Sequence, residues 1–105
     1  MDKYIEQVKD IIVSQVNPEQ IILFGSHARG DHQEDSDYDF LVLKNGLAES
    51  KEVTQNLRKV LYQGGCREPM DIIVMNREKY LNLNDVVGYI YRVIKTEGKI
   101  IYEQL

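Results

Sequence analysis

Gly25-Ser26-His27-Ala28-Arg29-Gly30, followed after an acidic stretch by Asp37-Tyr38-Asp39, is the part of this 105-residue chain from which its architecture can be read. The apolar run Gln20–Phe24 leads straight into Gly25-Ser26, the pattern of a strand that turns tightly into a helix. Residues 30–36 are polar and acidic and read as a loop. Residues 37–43 then alternate: Asp37, Asp39, Leu41 and Leu43 share one face, and Tyr38, Phe40 and Val42 the other, as expected of a strand.

Working outward, residues 2–15 carry Ile5, Val8, Ile11 and Ile12 at helical spacing, with Asn17-Pro18 as the stop. Residues 48–62 repeat that spacing with Val53, Leu57, Val60 and Leu61, ending at Gly64-Gly65. Pro69 precedes an expected strand over Met70–Met75. Asn84 is the expected N-cap of a last helix with Val87, Ile90 and Ile94 on one face, closed by Gly98. Residues 99–102 complete the pattern as an edge strand. The order α-β-α-β-α-β-α-β predicts an α/β fold, a small mixed β-sheet with packed helices. Residues 1–105 are expected to form a single domain, since a second core would not fit.

Apolar residues make up 43% and charged residues 29%, an ordinary globular balance, and the formal net charge is −4. No stretch approaches the roughly 20 apolar residues of a membrane span, and the charged N-terminal segment lacks the apolar run of a signal peptide. The cytoplasm is the expected location, with no membrane involvement. The acidic balance argues against direct nucleic-acid binding, which phosphate neutralisation drives. The one cysteine, Cys66, has no internal partner and no metal-ligand spacing; it is expected to be a buried or loop thiol.

Chemistry concentrates where the strand 37–43 begins. Asp37 and Asp39, two apart on a strand, present neighbouring carboxylates that need a proton or a cation between them. Hard oxygen donors suit Mg²⁺ or Mn²⁺. Asp71 opens its own strand and joins the pair if the two strands are neighbours. Three such carboxylates can hold two metals about 3.5–4 Å apart, as in-line phosphoryl displacement requires. Gly25 lets a phosphate approach the backbone, and the Ser26 hydroxyl with the following N–H groups forms an anion site. Each residue also has a plainer reading. The aspartates could belong to a solvated acidic loop, Ser26 could cap the helix, and Arg29 could pair with that loop or touch phosphate. His27 and His32 read as surface residues, Tyr89 and Tyr91 as core or interface packing, and Gly64-Gly65 as a turn.

Gly25-Ser26, ten intervening residues, then Asp37-Tyr38-Asp39 resembles the signature of the polymerase-β-like nucleotidyltransferase superfamily. The fuller string Gly25-Ser26-His27-Ala28-Arg29-Gly30 with Ser36-Asp37-Tyr38-Asp39 is similar to the minimal nucleotidyltransferases of bacteria and archaea. So is Thr96-Glu97-Gly98 followed by an apolar run to Tyr102. The resemblance implies a polymerase-β-like palm. It also implies AMP transfer from ATP, with Asp37, Asp39 and Asp71 catalytic and metal-binding and Gly25, Ser26 and Arg29 binding the nucleotide. The implied partner is a HEPN-type toxin, modified on a tyrosine and neutralised within a hetero-oligomer. Two alternatives remain open: an antitoxin that acts by binding alone, and nucleotidylation of a small molecule such as an aminoglycoside.

Overall fold

The computed structural model describes residues 2–104; Met1 and Leu105, the ends of the expected domain, lie outside the described residues. Helix α1 (Lys3–Val16) starts on the Asp2 carboxylate, which accepts the Tyr4 N–H at 2.6 Å and the Ile5 N–H at 3.4 Å. It stops at Asn17 in the left-handed conformation, φ 49°, one of the few side chains that tolerates it. Strand β1 (Gln20–Phe24) follows, then the short helix α2 (Ser26–Arg29), strand β2 (Tyr38–Leu43) and helix α3 (Ser50–Gln63). Strand β3 (Met70–Met75), helices α4 (Arg77–Leu83) and α5 (Ile90–Glu97), and strand β4 (Lys99–Glu103) complete the chain.

The four strands form one mixed sheet in the order β3-β2-β1-β4. β1 is antiparallel to β2 and β4, and β2 is parallel to β3. A parallel pair needs a crossover, and α3 is that crossover. Central β1 and β2 are buried along almost their whole length, which explains their continuous apolar runs.

The sheet separates two cores. Ile21, Leu23, Phe40, Val42, Ile72 and Val74 meet α1 and α3 on one face, through Val8, Ile12, Leu57 and Leu61. Ile22, Phe24, Leu41, Leu43 and Met75 meet Tyr80 of α4 and Ile94 of α5 on the other. No helix among the described residues is long and apolar enough to cross a membrane.

The C-terminal third departs from expectation. Asn84 does not begin a helix. It is buried and ends α4, its N–H donating to the Tyr80 carbonyl at 2.8 Å. The last helix starts only at Ile90, and Val87 is 77% exposed with Ile90 half exposed. Asparagine is suited to either end of a helix, and α4 has a single buried residue, Tyr80, too little for a periodic signal.

Gly98, where α5 passes into β4, is fixed by close packing. A Cβ there would lie 2.6 Å from the Ile22 methyl and strike the Ile94 carbonyl. Gly98→Ala is therefore expected to lower stability by about 1–3 kcal/mol through overpacking. A thermal melt followed by circular dichroism checks this; an unchanged midpoint would show that the helix end can shift off the sheet.

Candidate functional site

Asp39 is the centre of the site because of register. On one side it pairs with Phe24 of β1, the residue before Gly25. On the other it pairs with Asp71 of parallel β3. Direct partners in a sheet share a face, so Asp39 and Asp71 stand side by side, on the face that carries α4 and α5. Asp71 was expected beside the aspartates on condition that the two strands are neighbours, and β2 and β3 are.

Gly25 makes room for Asp39. Its backbone, at φ 76° and ψ −159°, lies in a region that only glycine populates readily. A Cβ there would overlap an oxygen of the Asp39 carboxylate and sit 3.1 Å from its Cγ. The turn and the aspartate are thus one packed unit. Gly25 is also the N-cap of α2, with Ser26 the first helical residue. Ser26 therefore does not cap the helix; it is the first residue of α2, directly after the glycine turn. The first backbone bonds of α2 are donated to the Gly25 carbonyl by Ala28 and Arg29, both at 3.1 Å.

Asp37 differs from expectation. β2 begins at Tyr38, whose N–H donates to the Pro69 carbonyl at 3.0 Å, so Asp37 stands exposed one residue ahead of the strand. The turn at Gln33 and Ser36, closed by a 2.8 Å bond from the Gln33 N–H to Ser36 Oγ, holds the chain out of the sheet until that point.

Electrostatics show how the carboxylates crowd. Burial pushes the Asp39 carboxyl above the usual carboxylate range, and the charges of Asp71 and Asp37 push it further. His27 and Arg29 oppose the rise. A half-buried carboxylate beside two others attracts a cation, and oxygen donors of this kind fit a hard divalent ion. No three potential ligands converge into a ready-made cage among the described residues. The Asp71 carboxylate is 69% exposed and lies 4.0 Å from the Arg58 guanidinium. It is placed beside Asp39 by the backbone but faces water with its side chain.

Arg29 pairs with the acidic loop: its Nε donates to Asp31 at 3.1 Å, and its Nη1 donates to Glu97 of α5 at 3.4 Å. His27 holds the same loop from behind. Its Nε2 lies 3.0 Å from the Ser36 carbonyl, and its ring stacks on Tyr38 at 3.7 Å and on His32 at 4.2 Å. From the sequence both histidines read as surface residues. Nothing in spacing announces a stack that depends on how the loop returns to β2. A cavity of about 440 Å³ bordered by His27, His32, Leu23 and Ile101 opens beside that stack, on the α1 face of the sheet, away from Asp39. Cys66 is buried, and burial raises its thiol pKa.

On the Asp39 face, Leu81, Val86, Val87, Tyr89, Ile90 and Val93 of α4, α5 and their connection are exposed. Tyr89 is half exposed and stacks on Tyr91 with ring centroids 6.3 Å apart, while Tyr91 packs partly against the second core.

The family described as polymerase beta, nucleotidyltransferase matches residues 6–104. No curated protein sequence matches the chain. Among solved structures, a toxin–antitoxin determined with AMP-PNP superposes with a TM-score of 0.62, at 18% identity over 94% of this chain and 73% of that one. A Sulfolobus solfataricus protein assigned as a nucleotidyltransferase gives 0.61, at 18% identity over 99% and 90%. A toxin–antitoxin MntA–HpeT mutant, with two aspartates changed to glutamate, gives 0.54, at 20% identity over 97% and 72%. At these identities the likeness is one of fold.

Proposed function

Because the chain belongs to the polymerase beta nucleotidyltransferase family, we propose that it transfers AMP from ATP to a tyrosine hydroxyl of a HEPN-type toxin, and so acts as an antitoxin. The family carries the transfer chemistry. Structural neighbours that are toxin–antitoxin proteins, one of them determined with AMP-PNP, support the antitoxin reading.

The observation that carries the reading is the in-register pairing of Asp39 with Asp71, next to a glycine turn shaped around Asp39. Asp37, Asp39 and Asp71 would hold Mg²⁺, or Mn²⁺ in its place. Bound there, the metal would supply charge neutralisation for the triphosphate and polarise the acceptor hydroxyl. Gly25 admits the triphosphate to the backbone, Ser26 donates its hydroxyl, and Arg29 offers a guanidinium edge. The acceptor oxygen forms a bond to the α-phosphorus and the bond to the pyrophosphate oxygen breaks. The exposed Asp71 carboxylate takes the acceptor proton, and pyrophosphate leaves. Most of this work is positioning and electrostatics.

Incubation with labelled ATP, Mg²⁺ and a HEPN-type toxin, sought in the adjoining reading frame, tests the proposal. Label is expected on the partner. An unlabelled partner in the presence of wild-type protein would refute it. A second reading, neutralisation by binding alone, is favoured by the exposed apolar strip on α4 and α5. The two separate on one variant: if Asp37→Asn/Asp39→Asn still protects cells fully from the partner, binding suffices.

A further inference from the structure

Thr96-Glu97-Gly98 lies far along the chain from the glycine turn, yet the fold brings it there. Glu97 is the last residue of α5 and Arg29 the last of α2. Gly98 lets the end of α5 press against Ile22 of β1, and Thr96 bonds back to the Arg92 carbonyl at 3.0 Å. The Glu97 carboxylate is thereby presented to the Arg29 guanidinium.

We propose that Glu97 is a positioning residue for nucleotide binding, clamping Arg29 jointly with Asp31 so that the free edge of the guanidinium stays turned to the triphosphate. This rests on the nucleotidyltransferase reading of the site. Asp31 takes Nε and Glu97 takes Nη1, which fixes the plane of a rigid five-donor fork and leaves Nη2 for a phosphate. The alternative partners of a loose arginine are close. Asp39 lies within range of its charge, and Asp35, Glu34 and Asp37 stand in or beside the same loop. An arginine released from Glu97 would fall on those carboxylates and compete with a cation for them. Both members of the pair are 41% exposed, so its contribution to folding is small. Its effect belongs in binding.

The experiment is calorimetric titration of Mg·AMP-PNP into the purified chain, which needs no acceptor. Glu97→Ala is expected to weaken binding about five- to twentyfold, and Glu97→Gln, which keeps an acceptor oxygen, about two- to fivefold, with thermal midpoints near the wild type. Arg29→Ala/Glu97→Ala should bind no worse than Arg29→Ala alone, since Glu97 acts through Arg29. Equal affinity of wild type and Glu97→Ala would overturn the inference and leave the function standing. Additive losses in the double variant would overturn it too, because Glu97 would then act by itself. Should Glu97→Ala fail to fold, the glutamine variant and its double with Arg29→Ala decide in the same way. A wild-type chain that does not bind the nucleotide would remove the proposed function and the inference together.

Discussion

Asp39→Asn is expected to reduce AMP transfer by at least about 10²–10³-fold, the scale of losing one group aimed at the transition-state charge, while making the metal-free protein more stable at neutral pH. The two effects have one cause. Burial and the neighbouring Asp71 and Asp37 charges raise the Asp39 pKa in the folded chain. A carboxyl whose pKa is raised on folding stabilises the fold only while protonated. That contribution is complete below the unfolded value, about 3.9, and is lost as pH rises through the folded value. At pH 7 the ionised, crowded carboxylate therefore works against the fold, and asparagine removes that opposition. Solvent reaches this half-buried group, so the gain is on the order of 0.5 kcal/mol, or about 2–4 °C in thermal midpoint. Melts in a chelator at pH 7 and pH 3 check it: the variant should exceed the wild type at pH 7, and the advantage should vanish at pH 3. A destabilised variant with intact transfer activity would mean that Asp39 serves the fold and not the chemistry.

Gly25→Ala is expected to lose both stability and activity. At φ 76° and ψ −159° an L side chain strains the backbone by about 1–3 kcal/mol. The added methyl also overlaps the Asp39 carboxylate, for a total of about 2–4 kcal/mol, or roughly 10–20 °C in thermal midpoint. The two parts can be separated. In an Asp39→Ala background the overlap disappears and only the backbone strain remains. The cost of Gly25→Ala should then shrink by about 1 kcal/mol without vanishing. Chemical denaturation of the four chains measures the coupling. No coupling would show that the two residues do not touch.

The strands on either side of the site were legible because chemistry marks their ends. Pro18 and Gly25 bracket β1, and Pro69 precedes the apolar run of β3, so both were placed at their observed limits. Asp71 was legible as a candidate from its place at a strand start, and register then set it beside Asp39. Asp37 was set one residue too deep, since the turn at Gln33 and Ser36 and the Pro69 contact, not alternation, decide where pairing begins. The Tyr38–His27–His32 stack and the Arg29–Glu97 pair were illegible for a common reason. Both join segments whose meeting depends on the path of a loop or of a distant helix. α4 was hidden by its shortness and its single buried tyrosine.

The sheet order also sets when the site can exist during folding. β1 and β2 are neighbours in sequence and pair antiparallel, so Gly25 can meet Asp39 through a local contact that forms early. Asp71 arrives only after α3 has been laid across the sheet, and β4 reaches β1 from the far end of the chain. Closing loops of that length is slow. A chain emerging from the ribosome would carry the Gly25 turn and Asp39 before Asp71 and Glu97. On the proposed function, full nucleotide affinity would therefore be a late reporter of folding, reached only when the most distant strand has docked.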